Sequence, residues 1–281
     1  LASVSADQTC RLWSRGTRDS SVLGGDASTS DPLPGGRAFH WREVSRPQIH
    51  GYDLTSIALH PSPTLFTPGQ LYSGGDEKLI RCFDVTVSVL EQMRSLCGLY
   101  HGLDEASTSG GRIFKAYIPE LGLSNKGTEH MSVSEKEERA TRNVDQLTGS
   151  VEGQLRPRPL EGQLADDTIW PEVNKLFGHK NDVMCVASSN FVSGSQEAFL
   201  LSACKARDAA TAELLVWDVS QSSMLCVGRL TGHDSTVVCA RFSPSNRFIA
   251  SSGKDRTLCL FERTRNTTGE VTGCGHTAES P

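Results

Sequence analysis

The sequence predicts an all-β fold of stacked, four-stranded antiparallel units, and three observations carry that prediction. A phrase that opens on Gly-His and closes on an aromatic recurs, from Gly178-His179 to Trp217-Asp218 and again from Gly232-His233 to Phe261-Glu262. The closing aromatics Trp217 and Phe261 stand 44 residues apart. Between the landmarks, apolar residues alternate at period two and are punctuated by turn residues. A repeat of this length is one supersecondary unit, which cannot bury its own apolar face and must stack on neighbours.

Four segments share the same ending. The first is Leu1 to Trp13, with the turn Ala6-Asp7-Gln8, and the second is Leu71 to Asp84, with the turn Gly74-Gly75-Asp76. The third is Leu200 to Cys204, resumed after a short insertion by Glu213 to Asp218; the fourth is Ile249 to Glu262, with the turn Gly253-Lys254-Asp255. Each reads as a strand, a turn carrying an acid, and a strand ending in an aromatic. Upstream of the fourth copy, Val237–Phe242 supplies an inner strand and Met224–Leu230 an outer one. Four antiparallel strands per unit make the blade of a WD40-type β-propeller. The chain is expected to hold about three to four blades of a seven-bladed ring, with long loop insertions. It divides into a truncated blade at 1–14, a flexible loop at 15–40, a blade at 41–84 and a partly disordered insertion at 85–169. Blades at 170–219 and 220–262 and an atypical tail at 263–281 complete it.

In blades of this type a histidine, a strand serine, a turn aspartate and a strand tryptophan form one hydrogen-bonded chain that satisfies buried polar groups. The matching positions are Ser3, Asp7 and Trp13 in the first unit, and His50, Ser73 and Phe83 in the second. His179, Ser202 and Trp217 fill the third unit, whose turn acid is lost to the insertion, and His233, Ser251, Asp255 and Phe261 fill the fourth. Phe83 and Phe261 stand where tryptophan would close the network, so these blades must lean more on apolar packing.

Composition excludes little beyond extremes. With 37% hydrophobic and 22% charged residues and a net charge of −5, the 281-residue chain has no global pull toward nucleic acid or an anionic membrane. No apolar run approaches the ~20 residues of a membrane span. The nine cysteines form no Cys-x-x-Cys pair, and most lie in strand-like runs such as Val238-Cys239-Ala240 and Leu258-Cys259-Leu260. They read as small buried hydrophobes in a reducing compartment, not as disulfides or zinc ligands. The text opens mid-repeat without methionine and is read as part of a longer chain; alone, such a fragment would leave open sheet edges and aggregate.

Two inserts break the pattern. Residues 15–37, rich in Ser, Gly and Asp, read as a surface loop. In the longer one, Val89, Leu90, Met93, Leu96 and Cys97 have helical spacing, so a short amphipathic helix or an irregular strand pair is expected there. Ser134-Glu135-Lys136-Glu137 could cap a second brief helix. The tail lacks an outer strand in its text, and Cys274-Gly275-His276 reads as a disordered terminus.

Phrases outside the repeat narrow the family. Val4 to Thr9, Arg46-Pro47-Gln48-Ile49-His50-Gly51-Tyr52-Asp53-Leu54, Leu121 to Lys126, Trp170 to His179 and Ser202-Ala203-Cys204-Lys205-Ala206 come in that order. Together they resemble the family of second subunits of the Elongator complex, over about Leu1 to Glu262. The resemblance implies part of the second of two tandem propellers, and a non-catalytic role without cofactors. The implied partners are the largest scaffold subunit and the catalytic subunit with radical-SAM and acetyltransferase domains. Transfer RNA is met indirectly through the complex, whose modification falls on carbon five of the wobble uridine; cytoplasm and nucleus are the implied compartments.

Ser251, His233 and Asp255 mimic a hydrolase triad, but their membership of a repeated network favours a structural role. His179 and His233 have no second ligand at zinc spacing. Lys175, Lys205 and Arg207 read as a solvated rim, not an RNA-facing stripe. A cullin-ligase adaptor is the alternative for such a propeller, weakened by Trp217-Asp218-Val219-Ser220, which carries serine where those adaptors often have arginine.

Overall fold

A computed structural model of the chain describes residues 1–17, 39–49, 51–61, 68–97, 113–119, 124–130, 159–192, 197–265 and 271–279. The chain is a partial WD40-type propeller: among the described residues four antiparallel sheets follow one another along the sequence, and a small two-stranded sheet, β7-β8 (Ala116–Tyr117, Lys126–Gly127), is inserted between the third and fourth strands of the second. The first has order β1-β2-β3 (Ala2–Val4, Cys10–Thr17, Phe39–Gln48). The second runs β4-β5-β6-β9 (Leu54–Pro61, Pro68–Gly75, Leu79–Asp84, Glu172–Phe177). The third runs β10-β11-β12-β13 (Val183–Ser188, Phe199–Cys204, Leu214–Asp218, Leu225–Leu230). The fourth runs β14-β15-β16-β17 (Val237–Phe242, Phe248–Gly253, Thr257–Arg265, Val271–Glu279).

Repeat text and sheets are out of phase by one strand. The strand just before each Gly-His belongs to the preceding sheet: β9 pairs with β6, and β13 with β12. The segments 41–84, 170–219 and 220–262 therefore each begin on one sheet and end on the next, which links neighbouring sheets through the chain itself. The three strands of the first sheet match the second, third and fourth strands of the others. Residues 271–279 correct the reading of the tail, because they pair with β16 along its whole length as an outer strand. Their text lacks the apolar alternation that marks other outer strands, so the sequence alone gave no sign of them.

Each joint between sheets has its own apolar core. Phe199, Leu201 and Ala203 of β11 face the fourth sheet, with Val237, Ile249 and Phe261. Leu200 of the same strand faces the second, with Tyr72, Ile80 and Cys82. All six residues of β11 are buried, the pattern of a strand covered on both faces. Between the first and second sheets the core is Cys10, Leu12, Val44, Leu71, Phe83 and Trp170. The spacing noted in the long insert resolves as a helix, α1 (Val87–Cys97), whose Val89, Leu90 and Met93 complete that core. The position of Ser134–Glu137 lies outside the described residues, as does the greater part of the 15–37 loop.

The far face of the fourth sheet is open, with Val238 49%, Leu258 50% and Leu260 39% exposed. Two exposed thiols correct the reading of the cysteines as buried. Cys10, Cys82, Cys185, Cys204 and Cys259 are buried, whereas Cys239 on the fourth sheet and Cys226 on β13 are exposed.

Close backbone approach fixes one glycine at the end of the β4–β5 pair of the second sheet. The N–H of Asp76 donates to the carbonyl of Asp53 at 3.0 Å, and a Cβ on Gly75 would overlap that same carbonyl. Gly75→Ala is expected to destabilise the protein by about 1–3 kcal/mol, the usual cost of overpacking a rigid contact. An unchanged urea midpoint would contradict this reading of the contact.

Candidate functional site

The repeated polar positions form struts between strands, and each sheet builds a different version. In the fourth sheet the Nδ1–H of His233 donates to Asp255 Oδ2 at 2.9 Å, while the Ser251 hydroxyl donates to His233 Nε2 at 2.8 Å. Thr257 joins them: its Oγ1 lies 3.0 Å from His233 Nδ1 and donates to Asp255 Oδ1 at 2.8 Å. Burial would raise the pKa of Asp255. It is outweighed by donors from the Thr257 N–H and hydroxyl, the Asp234 N–H and His233, which hold the carboxyl well below the usual carboxylate range. Phe261, buried beside them, has no donor to offer Ser251.

In the third sheet the Trp217 Nε1–H donates to Ser202 Oγ at 2.7 Å, and the Ser202 hydroxyl in turn donates to His179 Nε2 at 2.7 Å. The acid is missing. Asp208, in the inserted turn, spends its carboxylate on Thr211 instead. Without an anion, burial dominates at His179, aided by the nearby Arg229 charge, and its pKa falls to about 4. In the first sheet Trp13 Nε1–H donates to Ser3 Oγ at 2.9 Å, and Asp7 caps its own turn through Thr9 and pairs with Arg11. In the second, Ser73 donates to Gln48 Oε1 at 2.6 Å, beside a fully buried Phe83. His50 lies outside the described residues.

These constellations hold strands together and offer no reaction centre. Ser251 is 3% and His233 2% exposed, so no substrate carbonyl can reach the hydroxyl. Among the described residues no group of three or more His, Cys, Asp or Glu side chains could hold a metal ion. No helix among them is long and apolar enough to cross a membrane. Of the rim cations, Lys205 is tied to Asp76 at 2.9 Å and Asp182 at 3.1 Å, and Lys175 to Glu172 at 3.0 Å.

A second polar centre escaped the reading of the repeat. It is assembled from the phrases that lie between the copies. Trp170 Nε1–H donates to Ser45 Oγ at 3.0 Å, and Ser45 donates to the Thr168 carbonyl at 2.6 Å. Asn125 Nδ2 donates to the carbonyls of Pro47 and Trp170. Beside it, Arg81, 4% exposed, pairs with Glu77 and Glu172 at 2.7 Å each. Burial opposes the Arg81 charge, and the two carboxylates more than offset it. Here the text 45–48, 124–126 and 168–172 meets at the joint of the first two sheets. The only advance signal was that these phrases are distinctive; nothing in their spacing linked them.

Comparison with known proteins bears on the same phrases. The WD domain, G-beta repeat family matches residues 224–262. Elongator complex protein 2 of Arabidopsis thaliana is 31% identical over 277 residues, covering 96% of this chain. The human and Saccharomyces cerevisiae proteins of that name are 32% and 30% identical, each over 94% of the chain. The chain belongs to the Elongator complex protein 2 family. It spans 30% of the Arabidopsis and yeast proteins and 29% of the human one. Within this family, the resemblance drawn from the inter-repeat phrases and the WD-repeat architecture agree.

Three predictions follow from the struts. Trp217→Phe leaves Ser202 without its indole donor, as in the second and fourth sheets, and is expected to cost roughly 1–3 kcal/mol in equilibrium unfolding. Gly253→Ala would set a Cβ 2.6 Å from Asp255 Oδ1 and 2.7 Å from His233 Nδ1, and is expected to cost about as much as breaking that pair. For His179, the folded pKa of about 4 lies below the ~6.5 of an unfolded chain. The unfolded state therefore takes up the proton first as pH falls. Stability present above pH ~6.5 should be lost progressively down to pH ~4, by up to about 3 kcal/mol. Buried His60 acts in the same direction, so the check is the difference in urea midpoints between wild type and His179→Gln at both ends of that window. Parallel pH profiles would exclude His179 as a source.

Proposed function

We propose that the chain is a non-catalytic scaffold portion of an Elongator complex, supporting modification of transfer RNA wobble uridines at carbon five. In this reading it helps hold the largest subunit and the catalytic radical-SAM/acetyltransferase subunit together. The observation that carries the proposal is the similarity to Elongator complex protein 2 across nearly the whole chain, from plant, yeast and animal sources. The use of its histidines and serines as buried struts is consistent with work done through surfaces. Contact with transfer RNA is made through the complex, in cytoplasm and nucleus, and no cofactor is needed.

Affinity purification of the full-length protein should recover both subunits, and its deletion should abolish the wobble-uridine C5 modification measured by mass spectrometry of nucleosides. Recovery of a cullin ligase with unchanged modification would instead support the ubiquitin-ligase adaptor reading and reject this one.

A further inference from the structure

We propose that Asn125 is a clasp: one buried amide that couples the segment between β6 and β9 to the joint of the first two sheets. Its Nδ2 donates to the Pro47 carbonyl at 2.8 Å and to the Trp170 carbonyl at 2.7 Å. Pro47 is the penultimate residue of the last strand of the first sheet, and Trp170 leads into β9 of the second. The residue is 1% exposed, so neither carbonyl has water as a substitute. Two acceptors on one side also fix the orientation of the amide, because only the NH2 end can face them.

The side chain is suited to no other residue type. Aspartate has the shape but no donor when ionised, serine has one donor, and glutamine would carry the NH2 a methylene too far. The backbone continues the junction: Glu172 N–H donates to the Asn125 carbonyl at 2.9 Å, and Trp170 N–H to the Pro47 carbonyl at 3.2 Å. Thr168 adds a third link, its Oγ1 accepting from the Arg46 N–H at 2.9 Å.

The same segment reaches α1. Lys126 and Gly127 (β8) pair with Ala116 and Tyr117 (β7), and the carbonyls just before β7, at Ile113 and Phe114, accept from the N–H groups of Val87 and Ser88. Those are the first-turn donors of α1, which a helix cannot satisfy internally. Asn125, β7–β8 and the start of α1 thus form one continuous path from the segment into the core shared by the two sheets. Docking of the segment and closure of the joint are consequently one event, and release of Asn125 opens a hinge between the first two sheets while leaving the third and fourth in place.

The test is amide hydrogen exchange on the full-length protein carrying Asn125→Ala. Exchange at the Trp170, Glu172 and Arg46 amides and at Val87 and Ser88 should rise about tenfold or more, the equivalent of one lost hydrogen bond. Amides of 183–262 should stay at wild-type protection. A rise confined to 113–130, with Trp170 and Arg46 unchanged, would overturn the clasp, as would an equal rise over all four sheets. Should Asn125→Ala fail to fold, Asn125→Ser keeps one donor at the same position, and the same two regional readings decide.

Discussion

A sheet with two apolar faces must be covered on both, and the architecture follows from that constraint. β11 shows it most plainly. Its odd-numbered residues Phe199, Leu201 and Ala203 enter the core toward the fourth sheet, and Leu200 the core toward the second. Neither core can form without its neighbour, so stability is shared between adjacent sheets as in other repeat architectures. The one-strand offset between text and sheet reinforces this dependence, since the outer strand of each sheet is covalently part of the next text unit.

With the joints supplying the apolar term, the polar struts are free to vary. The fourth sheet keeps histidine, serine and aspartate and adds Thr257; the third keeps tryptophan, serine and histidine. What is constant is satisfaction of the buried serine hydroxyl, not the identity of its partner. Ser202 has an indole and an imidazole, Ser251 an imidazole, Ser73 a glutamine amide and Ser3 an indole. That tolerance is what a buried hydroxyl requires, because leaving it unpaired costs more than changing the donor. The difference has an electrostatic consequence: with no anion beside it, His179 is held neutral, while the fourth sheet keeps an ionised Asp255 against its histidine.

The architecture was legible in the sequence wherever a side chain's role repeats. Period-two alternation and the turns Ala6-Asp7-Gln8 and Gly253-Lys254-Asp255 announced strands and hairpins. The structure gives those two turns the same local bonds, Asp7 to the Thr9 N–H and Asp255 to the Thr257 N–H, with Gln8 and Arg256 at positive φ. The tail strand was illegible because its pairing rests on backbone groups that any sequence carries. The junction at Asn125 was illegible for a different reason. Its partners Pro47 and Trp170 lie 78 and 45 residues away, and two of its acceptors are carbonyls, which have no signature in the text.

That junction explains how an insertion so long can interrupt a propeller without disturbing it. Inserting residues between β6 and β9 separates the third and fourth strands of one sheet, and loop closure alone makes this tolerable only at an entropic cost. The structure offsets that cost by turning parts of the insert into core. Val89, Leu90 and Met93 of α1 fill the space between Leu12, Val44 and Phe83, and Asn125 donates to the buried carbonyls of Pro47 and Trp170 at the same seam. The Arg81 cluster works at the same seam. Glu77 comes from the turn before β6, Glu172 from β9, and Arg81 binds both, so the second carboxylate is supplied only when the returning strand is in place. Departure of β9 would break the buried Arg81–Glu172 pair, a cost that favours the closed sheet. The ion cluster thereby enforces the same closure, from the polar side, that Trp170 enforces from the apolar one.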